Sequence, residues 1–337
     1  MGAAVKSSHT TVEAIPLLLK IEMMNQLNFD VPLILDTPTG MNTTVYRTIH
    51  AVDRAPLTVQ SGRAWHYTSL SALRSILQGQ QLWATSWRVT NDRTEFRHGI
   101  EFLQQAWEHH SRENPLADRT RELLEQAGPF TGYPDHFEHV NILCAARERD
   151  SPYQWNSYAT GPEGVALGLD LGVELVTDVD DRPRRTGQAK LLGMQWLKVV
   201  YTDRQKQLTA ARFVGEMDDL LRHNTDLDLS GFVALNLLTA LNLKHPGFRH
   251  EKETRCVSLS AGVELKVMPA TTQKTIVPWK GLPLQATPAT AERRPLPIAE
   301  ILVGPRATEG TIATVAQYLI DAGMGAVPVE RSELPFR

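Results

Sequence analysis

Only two cysteines, Cys144 and Cys256, occur in 337 residues. They are too few and too far apart for a disulfide-stapled scaffold or a zinc site, so a reduced compartment is expected. No charge of one sign dominates: 35 Lys and Arg stand against 38 Asp and Glu, a formal net charge of −3 at pH 7. That balance excludes a protein that binds nucleic acid through bulk positive charge. The basic run Arg182-Pro183-Arg184-Arg185 follows Asp178, Asp180 and Asp181 and reads as a solvated loop. No apolar run approaches the roughly 20 residues needed to cross a bilayer. The N-terminus offers only Lys6 before the polar Ser7-Ser8-His9-Thr10-Thr11, without the basic-then-apolar order of a signal peptide. A cytoplasmic protein with no membrane partner is the expectation. Internal repeats, a Walker loop, a nucleophile elbow, a Rossmann fingerprint and a zincin motif are all missing. His109-His110 is the nearest metal cue, but adjacent residues on a helix point apart, so no metal is expected.

What is present is an ordinary globular composition, 42% hydrophobic and 22% charged. Residues 1–60 read as an N-terminal extension with a short helix over Thr11–Leu27, a strand or loop over Pro32–Gly40 and a strand over Thr43–Ala51. Residues 61–337 read as a single α+β domain, a mixed central β-sheet with flanking helices, because strands and helices mix without regular βαβ alternation. Strands are expected over Ala64–Tyr67, Gln81–Ser86, Val140–Ala146, Val165–Asp170 (alternating), Leu197–Tyr201, Glu253–Leu259, Thr275–Val277, Ile298–Val303 and Ala326–Val329. A Pro-laden loop should follow Val277. Helices are expected from Leu70 to Gly79, from Asn91 onward with Glu95 placed for a capping box, over Tyr153–Ala159, in one or two pieces over Leu208–Leu243, and over Glu309–Ala322.

Chemistry concentrates in two places. Glu251-Lys252-Glu253 opens a strand reaching Arg255, and residues i and i+2 of a strand leave the same face. Two carboxylates in one cleft repel each other, which raises at least one pKa, while Arg255 can hold one ionised. Such a face suits a reaction that builds positive charge on a sugar, and equally a solvated strand of alternating charge. His66-Tyr67-Thr68-Ser69 stands at a strand-to-helix junction, where polar groups and helix N–H groups can meet an anion. The same residues also suit plain helix capping by Thr68 or Ser69. Asn91-Asp92 reads as a cap, and Trp155 and Tyr158 share a helical face that belongs to the core or walls a base or nicotinamide pocket.

Taken in order, several of these stretches resemble a bacterial family catalogued as domain of unknown function family 2971. They are His66-Tyr67-Thr68-Ser69 with Leu73 to Leu77, Asn91-Asp92 with Glu95, Trp155 with Ser157-Tyr158-Ala159 and Gly164, and Lys244-His245-Pro246-Gly247-Phe248 before Glu251, Glu253 and Arg255. Gly304-Pro305 and Ser332 to Arg337 complete the set, which spans residues 62–337. A second resemblance is to the ADP-ribosyltransferase superfamily, in the His-Tyr-Thr turn before Leu73-Arg74-Ser75-Ile76-Leu77 and Gly79 and in Glu251-Lys252-Glu253. It implies an ADP-ribosyltransferase-like fold and NAD as substrate. It also implies that His66 grips the NAD ribose, Tyr67 or Tyr158 packs on nicotinamide, Glu253 bonds the reacting ribose and Glu251 positions the acceptor. Thr68, Ser69, Asn91, Trp155 and Arg255 complete the implied NAD site. The acceptor is a protein or nucleic acid not specified by these motifs, and the implied setting is a toxin or anti-phage effector with a neutralising partner. A non-catalytic nucleotide-binding module with the same pocket is the alternative.

Overall fold

The computed structural model describes residues 33–36, 42–45, 61–87, 95–136, 139–159, 164–173, 175–176, 190–192, 196–223, 227–261, 266–267, 280–286 and 296–335. The helix expected over Thr11–Leu27, the strand over Thr275–Val277 and the cap at Asn91-Asp92 lie outside these residues. Two strands near the N-terminus, β1 (Leu33–Asp36) and β2 (Asn42–Val45), pair antiparallel with each other.

From residue 63 the chain runs β3 (Arg63–Thr68), α1 (Leu70–Gly79) and β4 (Leu82–Ser86). Ser69, in extended geometry, accepts the Ala72 N–H at 3.1 Å and so starts α1, while Gln80 in the left-handed region ends it. A helical stretch follows: α2 (Glu95–Glu113), α3 (Asp118–Ala127) and a 3₁₀ helix over Phe130–His136. Then come β5 (His139–Ala146), the short α4 (Pro152–Ser157), β6 (Val165–Asp170), β7 (Leu175–Val176), β8 (Lys190–Leu192) and β9 (Trp196–Lys198). The stretch expected to be one or two helices is two, α5 (Asp203–His223) and α6 (Leu229–Leu241). A 3₁₀ helix over Pro246–Glu251 leads to β10 (Glu253–Ala261), β11 (Lys266–Val267), β12 (Lys280–Ala286) and β13 (Ile298–Val303), and α7 (Glu309–Asp321) and β14 (Val329–Arg331) close the chain.

The result is an α+β fold on a mixed sheet, in which β13 and β14 run parallel and the other pairings of named strands are antiparallel. β5 is the junction of that sheet. Along one side it pairs with β10 from His139 to Ala146. On the other side it meets two strands in succession, β4 at Asn141 and Ile142, then β3 at Ala146. One half of the sheet continues through β4 to β12 and β11, the other through β3 to β6, β13 and β14. The sheet therefore splits beside β5, and Leu143, Cys144 and Ala145 have no strand partner on that side among the described residues.

Two cores flank the sheet. α2, α5 and α6 pack on the face carrying Val140, Ile142, Val257 and Leu259; α1 and α7 cover the face carrying Leu143, Ala145 and Cys256. α6 is the centre of the helical layer, buried at every position from Phe232 to Leu241. Its neighbour α2 approaches so closely that a Cβ on Gly99 would lie 1.9 Å from the Ala240 carbonyl oxygen, which is why that position is glycine.

Three expectations change. β6 is buried from Val165 to Leu169 rather than alternating, since its two faces meet separate apolar clusters. A strand, β12, occupies Lys280–Ala286 where a Pro-laden loop was expected. Most consequentially, Glu251 is not on the strand. It ends the 3₁₀ helix, and Lys252, at φ 45° and ψ 46°, turns the chain before β10 begins at Glu253. Strand alternation therefore does not relate the two carboxylates.

Candidate functional site

The split beside β5 holds a cavity of about 260 Å³. β3 contributes Trp65, His66 and Tyr67, β4 contributes Trp83 and Thr85, and the unpartnered stretch of β5 forms part of the floor. Gln154, Tyr158, Lys244, Phe248, Glu251, Glu253 and Arg255 supply the remaining wall. The volume is just below the range of about 300–1,000 Å³ usual for small-molecule sites.

Sheet register explains how His66 and Glu253 reach one cavity from strands far apart in sequence. Ala146 of β5 is paired with Trp65 on one side and Glu253 on the other. Two residue pairs further along, Cys144 is opposite Arg255, and its carbonyl lies on the split. His66 Nδ1 donates to that carbonyl at 2.9 Å, filling a backbone position that a strand partner would otherwise take. A carbonyl can only accept, so Nδ1 carries the proton and Nε2 of the neutral ring remains an acceptor. Burial lowers the His66 pKa, against the opposing Cys144 hydrogen bond, and favours that neutral ring.

The polar end is a four-residue ionic cluster. Lys244 Nζ lies 2.5 Å from Glu251 Oε2 and 2.8 Å from Glu253 Oε2, and Arg255 donates to Glu253 Oε2 at 2.9 Å. All four residues are buried. A second Arg255 nitrogen donates to the Leu241 carbonyl at 2.6 Å, so a cation caps the C-terminal, electronegative end of α6. Tyr158 donates to Glu251 Oε1 at 2.8 Å, Gln154 donates to the Glu251 carbonyl at 2.8 Å, and the Glu253 N–H donates to Tyr201.

Arg255 holds one carboxylate ionised, as its phase on the strand suggested, and Lys244 adds to it. Burial pushes the Glu253 carboxyl up, but Arg255 and Lys244 outweigh burial and hold it at about 2. Lys244 bridges the two carboxylates. The Cys144 thiol, also on the cavity wall, is pushed well above its ordinary value, first by burial and then by the Glu253 charge it bonds to. It is a protonated donor to Glu253, not a nucleophile. Cys256, one residue out of phase with Cys144 across the β5–β10 pairing, faces the opposite core, and burial pushes its thiol up to about 12.

Of the residues picked from sequence, His66, Tyr67, Tyr158, Glu251, Glu253 and Arg255 thus surround one cavity. Tyr67 contributes its ring; its hydroxyl contacts the Glu148 and Arg149 carbonyls and accepts the Ser151 N–H. Burial raises the Tyr67 pKa, as it does that of Tyr158, where the Glu251 charge adds to the effect. Ser69 is spent on capping α1, and neither it nor Thr68 is part of the wall. Trp155 is fully buried behind the wall, edge-on to Tyr67 at 4.9 Å, with Nε1 donating to Asp150. It does not share the cavity with Tyr158. Asn91 lies outside the described residues.

Sequence reasoning missed Trp65, Trp83, Cys144, Gln154 and Phe248 as wall residues and named Lys244 only within a family motif. For Trp65 and Phe248 the signal was available, since each lies within a singled-out motif or beside one. Nothing local marked Trp83 or Cys144. Among the described residues no group of three or more His, Cys, Asp or Glu is placed to hold a metal ion, and no helix is long and apolar enough to cross a membrane.

No curated protein and no solved structure gives a significant match to the chain. A family model does match, over a shorter stretch than the motifs span. Residues 154–256, from Gln154 on α4 to Cys256 on β10, match the family described as "Protein of unknown function (DUF2971)", and this stretch carries Tyr158 and the whole ionic cluster but not His66.

Proposed function

We propose that the cavity takes NAD as a substrate and that the protein transfers its ADP-ribose to a macromolecular acceptor. The reading rests on one observation: His66 and Glu253, brought to β5 from opposite sides, wall a single cavity at the split in the sheet. In this reading the C1′–N bond to nicotinamide breaks and its electron pair neutralises the pyridinium, so no strong general acid is needed. C1′ passes through an oxocarbenium-like state. Glu253, ionised at any physiological pH, is the fixed negative charge facing that state, and His66 Nε2 accepts from a ribose hydroxyl. The wall rings of Trp65, Trp83 and Tyr67 suit a flat cation such as nicotinamide. The acceptor forms the new bond to C1′ and gives its proton to Glu251, which Tyr158 and Lys244 orient. The ADP-ribosyltransferase-like architecture belongs to the same proposal, supported by the split sheet with its cavity. So does a setting as a toxin or phage-defence effector with a neutralising partner.

The ionic cluster favours a second reading, a nucleotide-binding module without turnover, because each carboxylate already has a cation. Incubation with NAD labelled in the adenylate, with and without a cell extract, separates the two. Transfer expects nicotinamide release and label on a macromolecule, both reduced a hundredfold or more in Glu253→Gln, on the order of what one preorganised polar group contributes. NAD-induced thermal stabilisation without nicotinamide release supports the second reading. Neither release nor stabilisation removes both.

A further inference from the structure

α4 and the 3₁₀ helix over Pro246–Glu251 form a lip beside the cavity. They are tied together by Gln154 and Tyr158 bonding to Glu251 and by the Tyr153 ring lying 6.3 Å from the His250 ring at 33°. The lip is unusually aromatic on its outside. Tyr153 is 39% exposed and Tyr158 38%, the two most exposed aromatic side chains among the described residues, and Phe248 is half-buried at the cavity edge. Basic side chains lie on the same 3₁₀ helix and just after β5. Arg249 and His250 are exposed on the 3₁₀ helix, and Arg147, at the end of β5, is fastened to it by donating to the Lys252 carbonyl through both its backbone N–H and Nε. The acidic groups nearby are engaged elsewhere: Glu148 with Lys252 at 2.9 Å, Glu251 within the ionic cluster.

Exposed rings on one element of the lip and arginines on and beside the other, with no unpaired carboxylate among the groups just named, match a ligand that offers flat faces and a negative backbone. We propose that this lip is the acceptor-binding surface and that the acceptor is single-stranded nucleic acid, its bases stacking on Tyr153 and Tyr158 and its phosphates meeting Arg147 and Arg249. The assignment names the acceptor class for the ADP-ribosyl-transfer reading and rests on it. A folded acidic protein surface would use the cations but not the rings. A duplex hides its base faces and would use neither ring.

The test is fluorescence anisotropy of the intact chain, without NAD, against short single-stranded DNA and RNA of one sequence, the matching duplex, base-free polyphosphate and a polyglutamate peptide. A single strand should bind most tightly, with DNA and RNA arms showing which sugar is preferred. Tyr153→Ala should weaken it about tenfold, the lower part of the range measured for one stacked base. Arg249→Gln should make the logarithmic salt slope shallower by about 0.7. Equal binding by polyphosphate, no response to Tyr153→Ala, tighter binding by polyglutamate, or no binding to any strand each overturns the proposal. NAD-induced thermal stabilisation, measured on the same samples, reports on the cavity separately. Its loss speaks against the NAD reading, and its persistence with no strand binding speaks against the lip alone.

Discussion

Two buried carboxylates in this protein make an instructive pair. Glu253 on β10 and Asp218 on α5 are both almost wholly inaccessible, and in both burial raises the pKa while bonding partners more than reverse it. Asp218 accepts Thr120 Oγ1 at 2.6 Å, the Ala117 N–H at 3.0 Å and Arg222 at 2.8 Å, with His110 at 3.4 Å. Its groups come from three helical elements and the turn between two of them, so it fastens α2, α3 and α5 together. Glu253 has a comparable set of partners but lies on a cavity wall. A depressed pKa and burial therefore do not mark a functional acid. What separates the two is access to a cavity, which the split beside β5 gives Glu253.

Removing one partner from each cluster should break the comparison most severely. Arg255→Ala leaves Glu253 short of a cation and the Leu241 carbonyl without its donor. It should destabilise by about 3–5 kcal/mol, as should Asp218→Ala, which strands the Thr120 hydroxyl and the Ala117 N–H. Urea unfolding measures both. Only the first should also abolish NAD-induced stabilisation; an equal loss in the Asp218 variant would erase the distinction between wall and clamp.

Acid titration gives a smaller effect with a definite sign. Glu253 has a folded pKa of about 2 against an ordinary 4.5, so its stabilisation is complete above pH 4.5 and disappears as pH falls toward 2. For scale, a carboxylate shifted from 3.9 to 2.0 contributes about 2.6 kcal/mol. Thermal melts from pH 6 to pH 3 should show a steep acid decline that is shallower in Glu253→Gln. His66 acts at higher pH in the same direction: its lowered pKa means that stability falls once pH drops below its ordinary 6.5. His66→Gln should remove that upper part of the decline and leave the lower part.

The smallest expected change concerns the strand-to-helix junction at His66 to Ser69. Ser69→Ala removes only the N-cap of α1 and should lower stability by about 1 kcal/mol with NAD-induced stabilisation intact. A large effect on that stabilisation would give Ser69 a part in the site that its present bond to Ala72 does not.

Local pattern made much of the fold legible. The junction at His66 to Ser69, the pairing phase of Glu253 with Arg255 and the helical character of Leu208–Leu243, though not its division into two helices, follow from periodicity and capping. Where it failed, a single backbone conformation or a partner distant in sequence decided. Lys252 in the left-handed region took Glu251 off the strand, and Lys244, seven residues earlier, nonetheless brought the two carboxylates together. β6, buried from Val165 to Leu169, was read as alternating because its neighbours on both faces come from elsewhere in the chain.

The sequence by itself determined which side chains could carry chemistry and which local element holds each, because capping, alternation and charge spacing act within a few residues. It also determined the absence of a cysteine framework or a bulk charge. Only the tertiary structure decided that β3 and β4 part beside β5, that His66 and Glu253 face one cavity across that gap, and that Lys244 joins Arg255 in holding the Glu253 pKa down. Those are properties of strand register and of charges placed around a buried group, and both arise from contacts between segments that have no local sequence signature.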